Sequence, residues 1–246
     1  MSCSAIGALA LLNRRAWVPL AGRRCESKGL YRYGPYVIKE FDTSEPGHRT
    51  ECDTARTFEH PGLMRVRGEF RSGSTFGMVT DYFPRGDLRW ASPPATAEEV
   101  ANMVKRLTEP VAHMHEHNVA HLDIKPANYL IDENGDIVLI DLEYSRAAND
   151  DGSLSALESP TGTKAYMSPE VSRSTYNLAS DVFSLGATIH HLTTGCRLDR
   201  GDSHWYHHDV TPPVLSEVVS ASLSPRWEDR PSAAELLEAA CRPFTG

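Results

Sequence analysis

Four stretches of the chain concentrate side chains that handle charge, and they stand in a fixed order. Lys39 closes the run Val37-Ile38-Lys39. His121-Leu122-Asp123-Ile124-Lys125-Pro126-Ala127-Asn128 follows, then Asp141-Leu142-Glu143, then Gly162-Thr163-Lys164-Ala165-Tyr166-Met167-Ser168-Pro169-Glu170. Asp141 and Asn128 offer carboxylate and carboxamide oxygens, donors of the kind hard cations take in general. Lys39 and Lys125 are cations able to neutralise anionic oxygens.

Other candidate chemistry is weaker. His113, His115 and His117 recur at spacing two, His190-His191 lie in an apolar stretch, and His204, His207 and His208 surround Trp205. A zinc site needs nitrogen and sulfur ligands converging from several elements. No cysteine or third-helix partner is evident, so these read as surface or packing histidines. The 5 cysteines, Cys3, Cys25, Cys52, Cys196 and Cys241, form no C-x-x-C pair. An odd, scattered set predicts free thiols in a reducing compartment, cytoplasmic or nuclear. Cys52, next to Glu51, reads as packing.

These residues need elements to hold them. Up to about residue 83 the chain reads as short β-runs broken by Gly, Ser and Pro. Tyr36 to Lys39 is one run; Thr50 to Phe58 is polar and weakly helical, and His60-Pro61-Gly62 stops it. Met64 to Phe70 and Thr75 to Phe83 read as strands around Ser72-Gly73-Ser74. Beyond, helix dominates. Thr96 and Glu99 form a capping box. Val100, Met103, Val104, Leu107, Val111 and Met114 then share one helical face, and Pro110 is expected to kink or break that helix. Tyr129-Leu130-Ile131 and Ile137 to Ile140 flank Asn134-Gly135 as a hairpin. Residues 144–163 read as a long loop. Asp181 to Thr194 reads as an apolar helix stopped by Gly195, and Ser232 to Ala240 as a final helix.

The chain has 246 residues, with 33 Asp+Glu against 25 Lys+Arg and a net charge of −8. That balance excludes a general nucleic-acid binder driven by phosphate neutralisation. Hydrophobic residues at 40% and charged residues at 24% fit a soluble globular chain. The apolar run Ala5 to Leu12 falls short of the ~18–20 residues of a membrane span, so no membrane partner is expected. Arg14, Arg15, Arg23 and Arg24 precede the first acidic residue, Glu26. They faintly resemble a transit peptide, but the favoured reading is a first strand with a basic edge.

Taken in order, the charged fragments resemble the eukaryotic protein kinase family over nearly the whole chain. The resemblance implies an α+β, two-lobed protein kinase-like fold filling residues 1–246. A small β-rich lobe covers about 1–80, a hinge about 81–86 and a mostly helical lobe about 87–246. It implies transfer of the γ-phosphoryl of ATP, with Mg²⁺, to a protein substrate. Lys39 would pair with the α/β-phosphates. Glu51, nine residues before His60-Pro61, would orient it, since Glu40 and Glu45 sit too close to the strand. Asp123 would orient the acceptor hydroxyl, with Lys125 balancing charge and Asn128 and Asp141 holding the metal. The Asp81 carbonyl and Phe83 amide would bond adenine beyond a gatekeeper at Thr80, Val37 and Leu130 would sandwich it, and Asp87 would lie near the ribose. Lys125 and Thr163 resemble the serine/threonine type. Asp181 resembles the helix-start residue that anchors the catalytic backbone, and Glu170 with Arg230 a buried ion pair. The implied unit is a minimal catalytic domain with no appended regulatory module.

Three departures stand out. No G-x-G-x-x-G string precedes Lys39. The candidate phosphate turn is Ala10 to Val18, where Arg14 or Arg15 would substitute charge for backbone contacts. Glu143 stands where the family has glycine, which reads as a solvent-facing or structural carboxylate ahead of a metal ligand. Leu122 replaces an arginine that receives a loop phosphate, so activity is expected without loop phosphorylation. Ser153, Ser155, Ser159 and Thr161 are candidate phosphosites or simply parts of a flexible loop. The alternatives are a pseudokinase serving as a nucleotide-binding or scaffold module, and a small-molecule kinase on a related fold, which the 162–170 segment and Arg230 disfavour.

Overall fold

The computed structural model describes residues 6–7, 10, 13–20, 29–44, 49–154, 162–173, 175–198 and 213–242. The chain divides into two compact units, Met1–Pro84 and Arg85–Gly246. Among the described residues, no helix is long and apolar enough to cross a membrane.

The first unit is built on a 5-stranded antiparallel sheet of order β1-β2-β3-β5-β4. Its strands are β1 (Val18–Pro19), β2 (Gly29–Tyr33), β3 (Tyr36–Asp42), β4 (Val66–Ser72) and β5 (Thr75–Asp81). The β2–β3 connection is the two-residue turn Gly34-Pro35, with Gly34 at φ +58° as tight hairpins demand. Gly73, also at φ +58°, makes the expected β4–β5 turn. Helix α1 (Thr50–Thr57) lies between β3 and β4 in sequence. It is polar, but Glu51, Cys52 and Ala55 share a buried face. Arg49 and Arg56 tie it to Glu69 on β4 at 3.5 and 2.9 Å. Ala10, Ile38, Phe70 and Val79 form a buried apolar cluster, with Ile6 and Trp17 packed on it. The Trp17 ring lies 5.3 Å from Tyr31 and 5.7 Å from Phe70.

The second unit holds helices α2 (Ala97–Glu116), α3 (Leu178–Thr194), α4 (Pro213–Ser222) and α5 (Ala233–Cys241). Two small antiparallel pairs complete it: β6 (Val119–Ala120) with β9 (Arg146–Ala147), and β7 (Tyr129–Ile131) with β8 (Ile137–Leu139). The Thr96/Glu99 capping box forms as read. The expected break at Pro110 does not occur. Helix α2 runs unbroken through it, because Val104, Leu107, Val111 and Met114 are all 0% exposed and their burial outweighs one lost backbone bond. Helix α3 begins at Leu178, ahead of the expected Asp181, under an Asn177 cap, and ends at Gly195 with φ +73°. Helix α4 is unmarked in the sequence, since Ser216, Val218, Val219 and Ser220 have modest helix propensity. Within the expected 144–163 loop, Arg146–Ala147 pairs with β6.

Arg230 and Glu170 form a bidentate pair at 2.7 and 2.8 Å. Their side chains are 0% and 4% exposed. Arg230 Nη1 also donates to the Ala179 carbonyl at 3.0 Å, so the pair ties α3 to the segment ahead of α5. Truncating one partner leaves an uncompensated buried charge. Arg230→Ala is expected to lower unfolding free energy by ~3–5 kcal/mol, read by denaturant titration; an unchanged midpoint would contradict it. Burial pushes the Cys52 thiol up to about 12, with Glu69 adding to it. Cys52 is therefore expected to resist thiol reagents at neutral pH until the first unit unfolds, as peptide mapping after alkylation would show.

Candidate active site

In the first unit, Lys39 and Glu51 meet. Lys39 Nζ donates to Glu51 Oε2 at 2.6 Å, with the side chains 9% and 4% exposed. Strand β3 and helix α1 thus bring one residue each to a buried ion pair. Val37 lies two positions before Lys39, on the same strand face. Thr80 is buried on β5, and Asp81 ends that strand with its carboxylate bonded to Arg67 at 2.9 Å. Tyr82 N–H donates to the Pro35 carbonyl at 2.8 Å.

The phosphate-turn expectation is overturned. Val18 pairs with Arg32 and Pro19 with Tyr31, so the β1–β2 hairpin closes through residues 20–28, after the Ala10–Val18 segment. Residues 21–28, with Arg23 and Arg24, lie outside the described residues, as do Leu11 and Leu12. Arg14 instead sits in a short 3₁₀ turn and donates to Glu40 Oε1 at 2.7 Å, with its guanidinium 5.0 Å from the Trp17 ring. Adjacent strand residues face opposite ways. Arg14 therefore serves the face of β3 opposite to Lys39. The expected basic first strand is likewise replaced: β1 is Val18–Pro19, and the arginines Arg14 and Arg15 precede it.

In the second unit the string 121–128 is a connected network. The Asp181 carboxylate accepts from His121 N–H at 2.7 Å and Leu122 N–H at 2.8 Å. It also bonds His115 Nε2 at 3.0 Å. His115 thus has a definite structural partner, which spacing alone did not reveal. His121 Nδ1 accepts from Asp123 N–H at 3.2 Å, and its Nε2 faces the Ile140 carbonyl at 3.1 Å, which assigns the proton to Nε2.

Three side chains converge on Asp123. Lys125 Nζ donates to Asp123 Oδ2 at 2.5 Å and to Thr163 Oγ1 at 2.7 Å. Thr163 Oγ1 donates to Asp123 Oδ1 at 2.8 Å. Asn128 Nδ2 donates to the Asp123 carbonyl and to Oδ2, at 2.9 and 3.1 Å. With its nitrogen so engaged, the Asn128 Oδ1 is the atom left to face a cation. Ile140 N–H donates to the Asn128 carbonyl at 2.9 Å, which places Asp141 one residue beyond this anchor, at φ +70°. The donors are all oxygen, as Mg²⁺ requires, so the residues fit that ion.

Glu143 is half-buried, and one of its carboxylate oxygens lies within 4.8 Å of one of Asp141. It is not among the described residues with positive φ, so a side chain there costs no backbone strain. Leu130, on β7, bridges to Asp87. Asp87 is engaged locally: its carboxylate caps Arg89 N–H at 3.0 Å and pairs with the Arg89 guanidinium at 2.8 Å. Ser155, Ser159, Thr161, Glu45, His204, His207 and His208 lie outside the described residues.

The family model for the protein kinase domain matches residues 34–242. The chain belongs to the protein kinase family. Its sheet unit and helical unit are the two lobes of the kinase fold. Curated relatives agree. Mitogen-activated protein kinase kinase kinase 2 of Arabidopsis thaliana is 28% identical over 208 residues, covering 76% of this chain and 32% of that protein. Serine/threonine-protein kinase Nek2 of Homo sapiens is 27% identical over 219 residues, covering 77% and 48%. Serine/threonine-protein kinase PknB of Mycolicibacterium smegmatis is 28% identical over 192 residues, covering 73% and 31%. The chain thus spans between about a third and a half of the length of these relatives. The match begins at residue 34, so Trp17, β1 and β2 precede it.

Two buried carboxyls set the acid limit of this kinase fold. Burial alone would raise Asp181, but its bonds to His115 and to the His121 backbone hold it below its ordinary value. Burial likewise opposes ionisation of Glu170, and Arg230 outweighs it. A carboxyl depressed in the folded state stabilises as the anion. Its contribution is whole above the ordinary carboxylate range of about 4 and is lost as pH falls through the folded value. Unfolding free energy is expected to hold from pH 7 down to about 5 and then to fall steeply. Asp181→Asn should flatten that acid limb; an acid limb of parental slope in the variant would contradict the assignment.

Proposed function

We propose that this chain is an active protein kinase domain that transfers the γ-phosphoryl of ATP to Ser or Thr hydroxyls of proteins. The observation that carries the reading is the bonded set Asp123, Lys125, Asn128 and Thr163. The acceptor oxygen bonds to the γ-phosphorus as the bond from that phosphorus to the ADP oxygen breaks, and the hydroxyl proton passes to Asp123. Lys125 meets the charge that develops on the transferred group. Thr163, bonded to both, supports acceptors of the Ser/Thr class. Asn128 and Asp141 would hold Mg²⁺, which when bound neutralises phosphate oxygens. Lys39, oriented by Glu51, binds the α/β-phosphates. The remaining nucleotide contacts expected from the resemblance, Val37, Asp81, Phe83, Asp87 and Leu130, belong to the same proposal. So does the reading of residues 1–246 as one catalytic domain with a hinge at about 81–86.

One observation favours the pseudokinase reading. The hairpin between β1 and β2 carries Ala21, Gly22, Arg23 and Arg24 in place of a glycine-rich string. The test is incorporation of labelled γ-phosphate from Mg-ATP into generic Ser/Thr and Tyr substrates. Label on Ser/Thr is expected, with Asp123→Asn and Asp141→Asn each reducing it by about two to four orders of magnitude. No label from folded protein, with Mg²⁺ or Mn²⁺ and a broad substrate panel, would leave the pseudokinase reading standing.

A further inference from the structure

Leu122 holds a backbone conformation that its side chain makes costly. Its φ is +66°, in the left-handed region that branched residues avoid. Its N–H is fixed by Asp181 Oδ1 at 2.8 Å. Its carbonyl oxygen meets Gly162 so closely that a Cβ there would come within 2.6 Å of it. Gly162 itself has φ +109°. The two backbones therefore touch with no side chain between them, one residue before Asp123 and one before Thr163. That contact sets the spacing across which Asp123 and Thr163 bond.

The Leu122 side chain is 7% exposed and packs in a cluster with Ala120, Leu154, Val171 and Tyr176. Tyr144 and Met167 are among the partly buried residues packed against it. Its members come from the catalytic string, from the stretch after Asp141, from the loop after Thr163 and from the entry to α3. Backbone bonds run alongside: Ala148 N–H to the Asn118 carbonyl at 2.6 Å, Leu154 N–H to Tyr176 at 2.9 Å and Leu178 N–H to Gly152 at 3.1 Å. Apolar burial, together with the bond to Asp181, offsets the strain at residue 122.

We propose that Leu122 is a positioning residue: its burial against Leu154, Val171 and Tyr176 holds the Asp123 string and the Thr163 loop in register, so that the acceptor-orienting set is assembled by apolar packing and needs no phosphate on the intervening segment. The inference rests on the kinase reading above and concerns how that site is kept ready.

The test uses the full chain, phosphatase-treated, with Leu122→Ala, Leu154→Ala and the conservative Leu122→Met. Three quantities are read: kcat on a Ser/Thr peptide, affinity for a fluorescent ATP analogue, and amide hydrogen exchange over 144–154 and 162–168. Both alanine variants are expected to lower kcat about ten- to hundred-fold while nucleotide affinity stays within about two-fold. Exchange over 162–168 quickens in both, and Leu122→Met restores the parental values. General destabilisation would lower the melting temperature without this split. Parental kcat and exchange in both alanine variants would overturn the proposal, as would loss of activity in the parent on phosphatase treatment. Failure of both alanine variants to fold would also overturn it, since positioning leaves the fold intact. If the folded parent transfers no phosphate, the kinase reading fails, and exchange alone decides whether Leu122 positions the loop.

Discussion

Asp181 is 1% exposed, and the catalytic string depends on it. Its oxygens accept from the backbone of His121 and Leu122 and bond the His115 ring. It lies in the first turn of α3, where the positive end of the helix dipole favours an anion. A buried carboxylate is tolerable only when its lone pairs are taken. The backbone bends at Leu122 to present successive N–H groups to it. Helix α3, most of whose residues are buried, therefore acts as the post to which residues 121–123 are tied.

Strain gathers around the same post. Among the described residues, Asn118, Leu122 and Asp141 are the non-glycine positions with positive φ. Leu122 lies in the string, Asn118 just ahead of it, and Asp141 just past the β7–β8 hairpin that follows it. The β7–β8 hairpin links its two ends. Ile140 N–H reaches the Asn128 carbonyl, and His121 Nε2 reaches the Ile140 carbonyl. Asp123 and Asp141 are thus held by one continuous set of bonds, although 18 residues separate them in sequence. Such costs persist only where surroundings over-determine the conformation. Here a buried anion and an apolar cluster do so together.

The sheet unit solves a different problem with the same physics. Lys39 is a buried cation, and α1 exists largely to bring it Glu51. The helix has little apolar face of its own, so Arg49 and Arg56 anchor it to Glu69. On the other face of β3, Glu40 is 3% exposed and takes Arg14. Neighbouring residues on one strand thus carry opposite charges to opposite faces, each matched by a partner from another element.

Much of this was legible before any coordinates. The capping box at Thr96/Glu99 acts within four residues, and the hairpin at Gly135 is a local turn, so the chain alone carries both signals. The order of Lys39, Asp123, Asn128 and Asp141 was likewise sufficient to name the family. Partner choice was not legible. Arg14 was expected at a phosphate turn and pairs with Glu40, 26 residues away. His115 reads in sequence as a surface or packing histidine, and it bonds Asp181, 66 residues away. Pro110, where a kink or a break is expected, lies inside a helix that tertiary burial keeps continuous. The sequence by itself determined which side chains are present, their order, and the local elements whose caps and turns act over a few residues. Only the tertiary structure decided which strand face Arg14 serves, what holds Leu122 in a left-handed conformation, and which residues meet at Asp123. Those outcomes depend on strand pairing and on contacts between distant segments, where burial decides what a side chain's nearest charge or methyl group will be.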